Sequence, residues 1–194
     1  MNTRHLLITG FDPFGGESVN PSWLAVSKLP DAIGNYTVHK MVIPTVFGKA
    51  AEKVLEKAVE IRPDLILCIG QAGGRDAVTP ERIAVNIRDA RIPDNRGNRP
   101  EGEPVAAEGP AAYFTTVPVR EMAAAIVAAG LPGTVSNSAG AFVCNDTLYT
   151  LLHHFRGTKT RVGFLHVPWL PEQGSPSLPL ADTVRALEAA IGAL

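Results

Sequence analysis

The apolar positions of this chain fall into two patterns that alternate along it. Short, largely apolar runs of strand length are followed by longer stretches in which apolar residues recur every three or four positions. The short runs are typical of strands buried in a sheet, and the longer period is typical of amphipathic helices. The predicted strands lie at positions 6–9, 36–43, 64–69 and 160–167, and the predicted helices at 21–29, 47–61, 118–129, after 144 and from about 180.

The middle of the chain departs from this alternation. Positions 83–88 alternate apolar and polar residues, which predicts a strand with one buried face. Short strands are also predicted near 113–116 and at 134–137. Residues 91–110 contain four prolines and three glycines, so we expect a mobile or lid-like loop there. Together these elements predict a three-layer α/β/α sandwich with a mixed, largely parallel sheet.

Length, composition and charge narrow the class of protein. A chain of 194 residues, 45% hydrophobic and 19% charged, is expected to form a single globular domain over positions 1–194. The formal net charge is −1 without a block of like charges, so neither nucleic acid nor a membrane surface is expected as a partner. The two distant cysteines cannot form a disulfide framework, which favours a cytoplasmic location. Zinc-type spacing of ligands is absent from the sequence, and no metal or other cofactor is expected.

Candidate chemistry centres on Cys144. This residue follows a run of small residues at positions 136–141, where the backbone can turn tightly and approach a ligand. A helical apolar pattern begins directly after it, so Cys144 is expected at a helix N-terminus, where free N–H groups and the helix dipole favour a thiolate and can hold an oxyanion. The alternative is a small buried cysteine, which is our expectation for Cys68 inside the strand at 64–69.

A cysteine nucleophile needs a base, and the base needs an orienting group. Of the five histidines, His166 alone lies at the end of a buried strand next to a proline turn. It is a candidate base, although a core histidine bonded to backbone fits the pattern equally well. Glu81 is the foremost candidate for the orienting acid, because it starts a strand shortly after a glycine-rich loop. Five other acids remain open alternatives: Asp12, Asp76, Asp89, Asp94 and Asp146, the last of which is more simply a helix cap.

Two glycine-rich loops follow predicted strands, at the edge where open α/β sheets bind ligands. The first, at 10–23, carries Phe11 and Phe14, contains no basic residue and matches no phosphate-binding pattern, which favours an apolar, uncharged ligand. The two phenylalanines fit a role in the core equally well. Asn20 followed by Pro21 is a typical N-cap and first residue of a helix. The second loop spans 70–76.

Six motifs of the chain occur in the order found in one peptidase family. They are G-F-D-P-F-G-G-x-x-x-N-P-S, G-Q-A-G-G-R, P-E-R-I-A-V-N, D-A-R-I-P-D-N, S-N-S-A-G-x-F-V-C-N and H-V-P-x-L-P-E-Q, and they span positions 10–173. On these motifs the chain resembles pyroglutamyl-peptidase I, also called pyrrolidone-carboxylate peptidase. The resemblance implies a phosphorylase/hydrolase-like α/β/α sandwich, a cytoplasmic homotetramer, and peptides with N-terminal pyroglutamate as substrates.

The same resemblance assigns roles to individual residues. It places the catalytic residues at Glu81, Cys144 and His166, and puts Arg91 close to the reacting carbonyl. The pocket for the substrate ring falls on Phe11, Phe14, Asn20, Gln71, Phe142 and Val143. Pyroglutamate is a neutral lactam, so apolar walls with a few amide-bonding groups suit it.

Two alternatives remain open from the sequence. Another cysteine amidase, such as a glutamine amidotransferase, is expected to carry a G-x-C-x-G elbow, whereas positions 142–146 read F-V-C-N-D. A nucleoside-phosphorylase-like binding domain on the same scaffold is expected to carry basic phosphate ligands, which the first glycine-rich loop lacks.

Overall fold

The computed structural model describes residues 4–194, which form eight strands and five helices. The strands are β1 (Arg4–Phe11), β2 (Ala32–Ile33), β3 (Tyr36–Ile43), β4 (Leu65–Gln71), β5 (Thr79–Pro80), β6 (Ile83–Val85), β7 (Ala112–Phe114) and β8 (Arg161–Val167). The helices are α1 (Pro21–Lys28), α2 (Lys49–Ile61), α3 (Val119–Ala128), α4 (Val143–Phe155) and α5 (Leu180–Gly192). Within residues 4–194, none of these helices combines the length and the hydropathy needed to cross a membrane.

Six of the strands form the central sheet, in the order β2-β3-β1-β4-β8-β5. The four central strands β3, β1, β4 and β8 are parallel, and the short strands β2 and β5 pair antiparallel at the two edges. The mixed, largely parallel sheet predicted from the sequence is therefore confirmed. Parallel strands end at one edge, so the loops after β1, β4 and β8 meet there.

Alternate residues of the central strands enter two different cores, one on each face of the sheet. In β1, Leu6 and Ile8 pack with helices α1, α3 and α5, whereas Leu7 packs with α2 and α4. All three leucine and isoleucine side chains are fully buried. Strands covered on both faces need apolar residues at every position, which explains the continuous apolar runs in the sequence.

Two predicted strands differ in the structure. The alternating stretch at 83–88 gives only β6, which pairs with β7 in a separate two-stranded antiparallel sheet. The predicted strand at 134–137 is wrong, since the pairing in this region is limited to isolated bridges, of Gly133 to Val78 and of Ser136 to Glu81. Its neighbour β5 is two residues long, and Pro80 has no N–H to donate, so a continuous ladder cannot form there.

The loop at 91–110 contains no helix or strand, as predicted, but it is held by specific contacts. The buried carboxylate of Asp94 accepts hydrogen bonds from the backbone N–H groups of Phe47, Arg96 and Asn98, at 2.8–3.0 Å. The backbones of Arg88 and Glu103 also bond to each other. These bonds tie the loop to the segment before α2, and a lid-like movement stays a prediction.

Candidate active site

The carboxyl ends of the central strands and the start of α4 surround a cavity of about 690 Å³. Because β1, β4 and β8 are parallel, the loops that follow them reach this cavity from one side. The cavity wall contains eight of the ten residues predicted for the site: Phe11, Phe14, Asn20, Gln71, Arg91, Phe142, Cys144 and His166. Glu81 lies behind His166, and Val143 lies in the core.

His166 and Glu81 form a buried pair at the edge of the sheet. The Nδ1 atom of His166 lies 2.7 Å from Oε1 of Glu81. Strand β5 sets this distance, since Thr79 stands in register with His166 and the backbone N–H of Glu81 donates to the carbonyl of Phe164. A carboxylate can only accept, so Nδ1 carries the proton and Nε2 is the basic nitrogen.

Arg75 joins this pair and was missed in the sequence. Its Nη1 lies 2.6 Å from Oε1 of Glu81, and its Nη2 donates to the carbonyl of Ser138 at 3.1 Å. The side chain is 28% exposed and also lines the cavity. The only signal in the sequence was its place in the G-Q-A-G-G-R motif, because nothing in the spacing shows that this loop folds back onto Glu81.

The electrostatics of the pair favour an ionised carboxylate beside a neutral imidazole. Burial disfavours the charged form of Glu81, but the bond and charge of His166, the nearby Ser136 hydroxyl and the charge of Arg75 hold the pKa of Glu81 below its ordinary value. Burial lowers the pKa of His166, against the opposing effect of Glu81, and Arg75 lowers it further. Since arginine keeps its charge whereas a buried imidazole releases its proton readily, we assign Glu81 as charged and His166 as neutral at neutral pH.

Cys144 is the second residue of α4, close to the position predicted from the sequence. Burial raises the pKa of its thiol, as do the charges of Glu81 and Cys68, and these effects outweigh the charge of Arg75 and the backbone N–H of Cys144, which lower it. The position at a helix start favours a thiolate but left the resting protonation of Cys144 open from the sequence, and in the structure burial favours the neutral thiol. Cys68 is fully buried in β4, as predicted, and burial raises its pKa to about 12.

The end of β4 leaves room for the sulfur of Cys144 only because Gly70 has no side chain. A Cβ atom at Gly70 would lie 2.9 Å from Sγ of Cys144 and 2.8 Å from Cζ of Phe164. Gly70 is also in register with His166 on the neighbouring strand. The glycine at this position therefore allows the sulfur to approach the sheet edge that carries the histidine.

Aromatic rings form the apolar part of the wall. The ring centroids of Phe14 and Phe142 lie 6.1 Å apart, and Phe47 packs edge-on against Phe142 at 5.2 Å. Phe47 was predicted only as the start of a helix, and its contact with the wall is a finding of the structure. Val143 does not reach the cavity, since its fully buried side chain at the start of α4 points into the core beneath the sheet.

Asn20 and Asp146 both lie at the start of a helix, but only Asn20 caps its helix. Asn20 caps α1 as predicted: its Oδ1 accepts from the backbone N–H of Ser22 at 3.0 Å, while Nδ2 donates to the carbonyl of Asp12. The predicted cap role of Asp146 is wrong. Its buried carboxylate accepts from Nε of Arg88 at 2.6 Å and from the backbone N–H of Gly48 at 2.7 Å, because its position in the first turn of α4 faces α2.

Across residues 4–194, no group of three or more His, Cys, Asp or Glu side chains is arranged to hold a metal ion.

A buried histidine–carboxylate pair beside a cysteine, at the ligand-binding edge of an α/β sheet, is the arrangement of a cysteine-type hydrolase. A family model described as pyroglutamyl peptidase matches residues 4–194, so the chain belongs to the pyroglutamyl peptidase family. It is accordingly an enzyme, a peptidase of the cysteine class. The resemblance stated from the six motifs is confirmed, and the family assignment decides against the amidotransferase and phosphorylase-like alternatives.

Individual relatives agree over nearly their whole length. The pyrrolidone-carboxylate peptidase of Levilactobacillus brevis is 54% identical, over 97% of this chain and 96% of that protein. The crystal structure of Bacillus amyloliquefaciens pyroglutamyl peptidase I is 45% identical with a TM-score of 0.95, covering 98% of this chain and 96% of its own. The pyrrolidone carboxyl peptidase from Thermococcus litoralis is 36% identical with a TM-score of 0.93, covering 98% and 92%. These structures share the fold predicted here.

Proposed function

We propose that this chain hydrolyses the bond after an N-terminal pyroglutamyl residue of peptides, with Cys144 as nucleophile, His166 as base and Glu81 as orienting carboxylate. The observation that carries the proposal is the 2.7 Å bond between His166 and Glu81, beside the cavity that Cys144 and His166 both line. The family and the names of the relatives support the substrate.

The reaction begins with a proton transfer, because the raised pKa of the half-buried Cys144 thiol favours its neutral form. Nε2 of His166 takes the proton from Sγ of Cys144, and the sulfur attacks the pyroglutamyl carbonyl carbon. The resulting oxyanion accepts from the backbone N–H of Cys144, at the start of α4, and from Arg91. The imidazolium then protonates the departing amine, and the C–N bond breaks to leave a thioester.

The second half of the reaction restores the enzyme. His166 removes a proton from a water molecule, whose oxygen attacks the thioester carbonyl. The C–S bond breaks, the sulfur recovers the proton from His166, and pyroglutamate is released. Glu81 keeps the imidazole in one tautomer throughout and stabilises its charged form.

The wall of the cavity suits a neutral lactam ring. The aromatic rings of Phe14 and Phe142 can cover the lactam ring of the substrate. The backbone near Gln71 can form hydrogen bonds with the lactam N–H and carbonyl. A buried amide partner that is left unpaired discriminates against a proline ring by as much as about 10⁴-fold. Asn20 contributes by fixing the first glycine-rich loop through its bond to Asp12.

Three further expectations accompany this proposal. We propose that residues 1–194 act as one catalytic domain, that the chain assembles as a homotetramer and that it works in the cytoplasm. Light scattering of the purified protein tests the assembly directly, since a tetramer of 20.6 kDa chains is readily told from a monomer or dimer.

The proposal is tested by release of a fluorescent amine from a pyroglutamyl amide under reducing conditions, beside the same amide of proline. We expect turnover of the pyroglutamyl amide alone, and its loss after thiol alkylation. Cys144→Ala is expected to fold and to have no turnover, whereas the matched variant Cys68→Ala keeps its activity because Cys68 is buried in β4. Turnover that survives in Cys144→Ala, or equal rates with both amides, would contradict the proposal.

A further inference from the structure

Arg75 connects three segments that meet at the active site. It follows the glycine-rich turn after β4, and its guanidinium bonds to Glu81 at 2.6 Å, to the hydroxyl of Thr79 and to the carbonyl of Ser138 at 3.1 Å. Glu81 orients His166, and Ser138 belongs to the loop that leads to Cys144. The planar side chain of Arg75 thus contacts both Glu81, which orients the base, and the loop that carries the nucleophile Cys144.

The carboxylate of Glu81 depends on this contact. Its Oε1 atom accepts from both Arg75 and His166, whereas Oε2 is buried without a hydrogen-bond partner within residues 4–194. The Glu81 side chain has no exposure, and a buried carboxylate without a cationic partner tends to take up a proton. A neutral Glu81 could not stabilise the imidazolium that forms during the reaction.

We propose that Arg75 is a positioning residue of the peptidase reaction. It holds the Glu81 carboxylate against His166 and links that pair to the backbone carbonyl of Ser138, in the loop that precedes Cys144. This inference rests on the proposed function for the reaction it serves. Arg75 acts through Glu81 and the loop, and it has no step of its own in the chemistry.

The charge of Arg75 also has a measurable effect on the whole cluster. The titratable and charged groups around His166 are Glu81, Cys144 and Arg75, with Cys68 beside Cys144 and with Asp89 and Arg91 elsewhere on the cavity wall. Arg75 lowers the pKa of Glu81, of His166 and of Cys144. Removing this cation, which lies 2.6 Å from Glu81 at a partly exposed site, therefore raises the macroscopic pKa values of the cluster.

The test compares Arg75→Met and Arg75→Lys with the matched control Arg82→Met. Arg82 adjoins Glu81 in sequence, and its side chain makes no hydrogen bond within the described chain. Two readouts are recorded against pH: kcat and KM for the pyroglutamyl amide, and the rate of alkylation of Cys144 by iodoacetamide, located by mass spectrometry. The second readout needs no substrate.

For Arg75→Met we expect kcat to fall by about 10–100-fold with little change in KM, since geometry around the reacting groups is lost rather than binding. Both pH profiles should move up by about one unit. Arg75→Lys should return the profiles toward those of the wild type but recover only part of kcat, because an ammonium group lacks the planar fork that spans Glu81 and Ser138. Arg82→Met should match the wild type.

The following outcomes decide whether Arg75 is a positioning residue. Overlapping alkylation profiles for Arg75→Met and the wild type, or a rise in KM alone, would overturn the proposal. A wild-type enzyme that does not hydrolyse the pyroglutamyl amide counts against the proposed function, while the alkylation profiles still decide the role of Arg75. If Arg75→Met fails to fold, Arg75→Lys and Thr79→Val decide the question. Thr79→Val keeps the charge of Arg75 and should lower kcat without moving either pH profile. An unchanged kcat in both of these variants overturns the proposal.

Discussion

Replacing Gly70 with alanine tests where the structure places the sulfur of Cys144. The added methyl group would lie 2.9 Å from Sγ of Cys144 and 2.8 Å from Cζ of Phe164. Gly70 does not have a positive φ angle, so alanine suits its backbone and the effect comes from the methyl group alone. Because Phe164 is packed against Phe11 and His166, with ring centroids at 6.2 and 4.8 Å, the sulfur is the group expected to move.

The size of the effect follows from these distances. An ordinary contact begins near 3.4 Å, so a methyl group at 2.9 Å displaces the sulfur by about half an ångström or more. Crowding of this kind costs about 1–3 kcal/mol, and the lower backbone entropy of unfolded alanine offsets about 0.4–1 kcal/mol of it. We expect a net loss of about 1–2 kcal/mol and a fall in Tm of about 2–8 °C. Misplacement of the sulfur should lower kcat/KM by about 10–100-fold.

The matched control is Gly163→Ala on the neighbouring strand β8. A Cβ atom there would lie 2.6 Å from Val117 and 2.9 Å from Leu67, in the core and away from the sulfur. This variant should lose stability while its kcat/KM stays within about twofold of the wild type. Thermal unfolding and amide hydrolysis are measured for both. A Gly70→Ala enzyme with wild-type kcat/KM and wild-type alkylation of Cys144 would refute the placement of the sulfur beside β4.

Two further predictions concern stability. Asp146→Asn removes the charge that holds Arg88 and the N–H of Gly48, and should lower the free energy of unfolding by about 2–4 kcal/mol in urea titrations; an unchanged midpoint would contradict the role of this ion pair. Burial, with smaller effects of the charges of His5 and Lys57, lowers the pKa of His39 below 6.5. The folded state therefore binds a proton less readily than the unfolded chain, so this contribution to stability is present above pH 6.5 and is lost as the pH falls through the folded pKa. His39→Gln should reduce the loss of stability between pH 7.5 and 5.5, and equal pH dependence of both proteins would count against it.

The sequence alone determined most of the secondary structure and the class of fold. The continuous apolar runs at positions 6–9, 64–69 and 160–167 are local signals of strands covered on both faces, and they became β1, β4 and β8. The cap formed by Asn20 was equally local, since its partner Ser22 is two residues away. Six ordered motifs then indicated the family. These features could be predicted because each depends on residues close together in the chain.

The sequence was less informative where partners are far apart. Glu81 and His166 are separated by 85 positions, and Asp146 and Gly48 by 98. Spacing could not decide between Glu81 and the other acids, and it assigned Asp146 to its own helix. Only the packing of α4 against α2 made that carboxylate a partner of another segment.

The tertiary structure also decided which side chains reach the cavity. Val143 and Phe142 are adjacent in the sequence, yet one points into the core and the other forms the wall, because the chain enters α4 between them. Arg75 contacts Glu81 only because the loop after β4 folds back onto that carboxylate. The raised pKa of the Cys144 thiol has the same origin, since burial depends on every neighbour and the helix N-terminus is only one of them. The sequence thus determined the secondary-structure elements and the candidate catalytic residues. Long-range packing decided which side chains bond to each other, which of them face the cavity and which of them carry a charge.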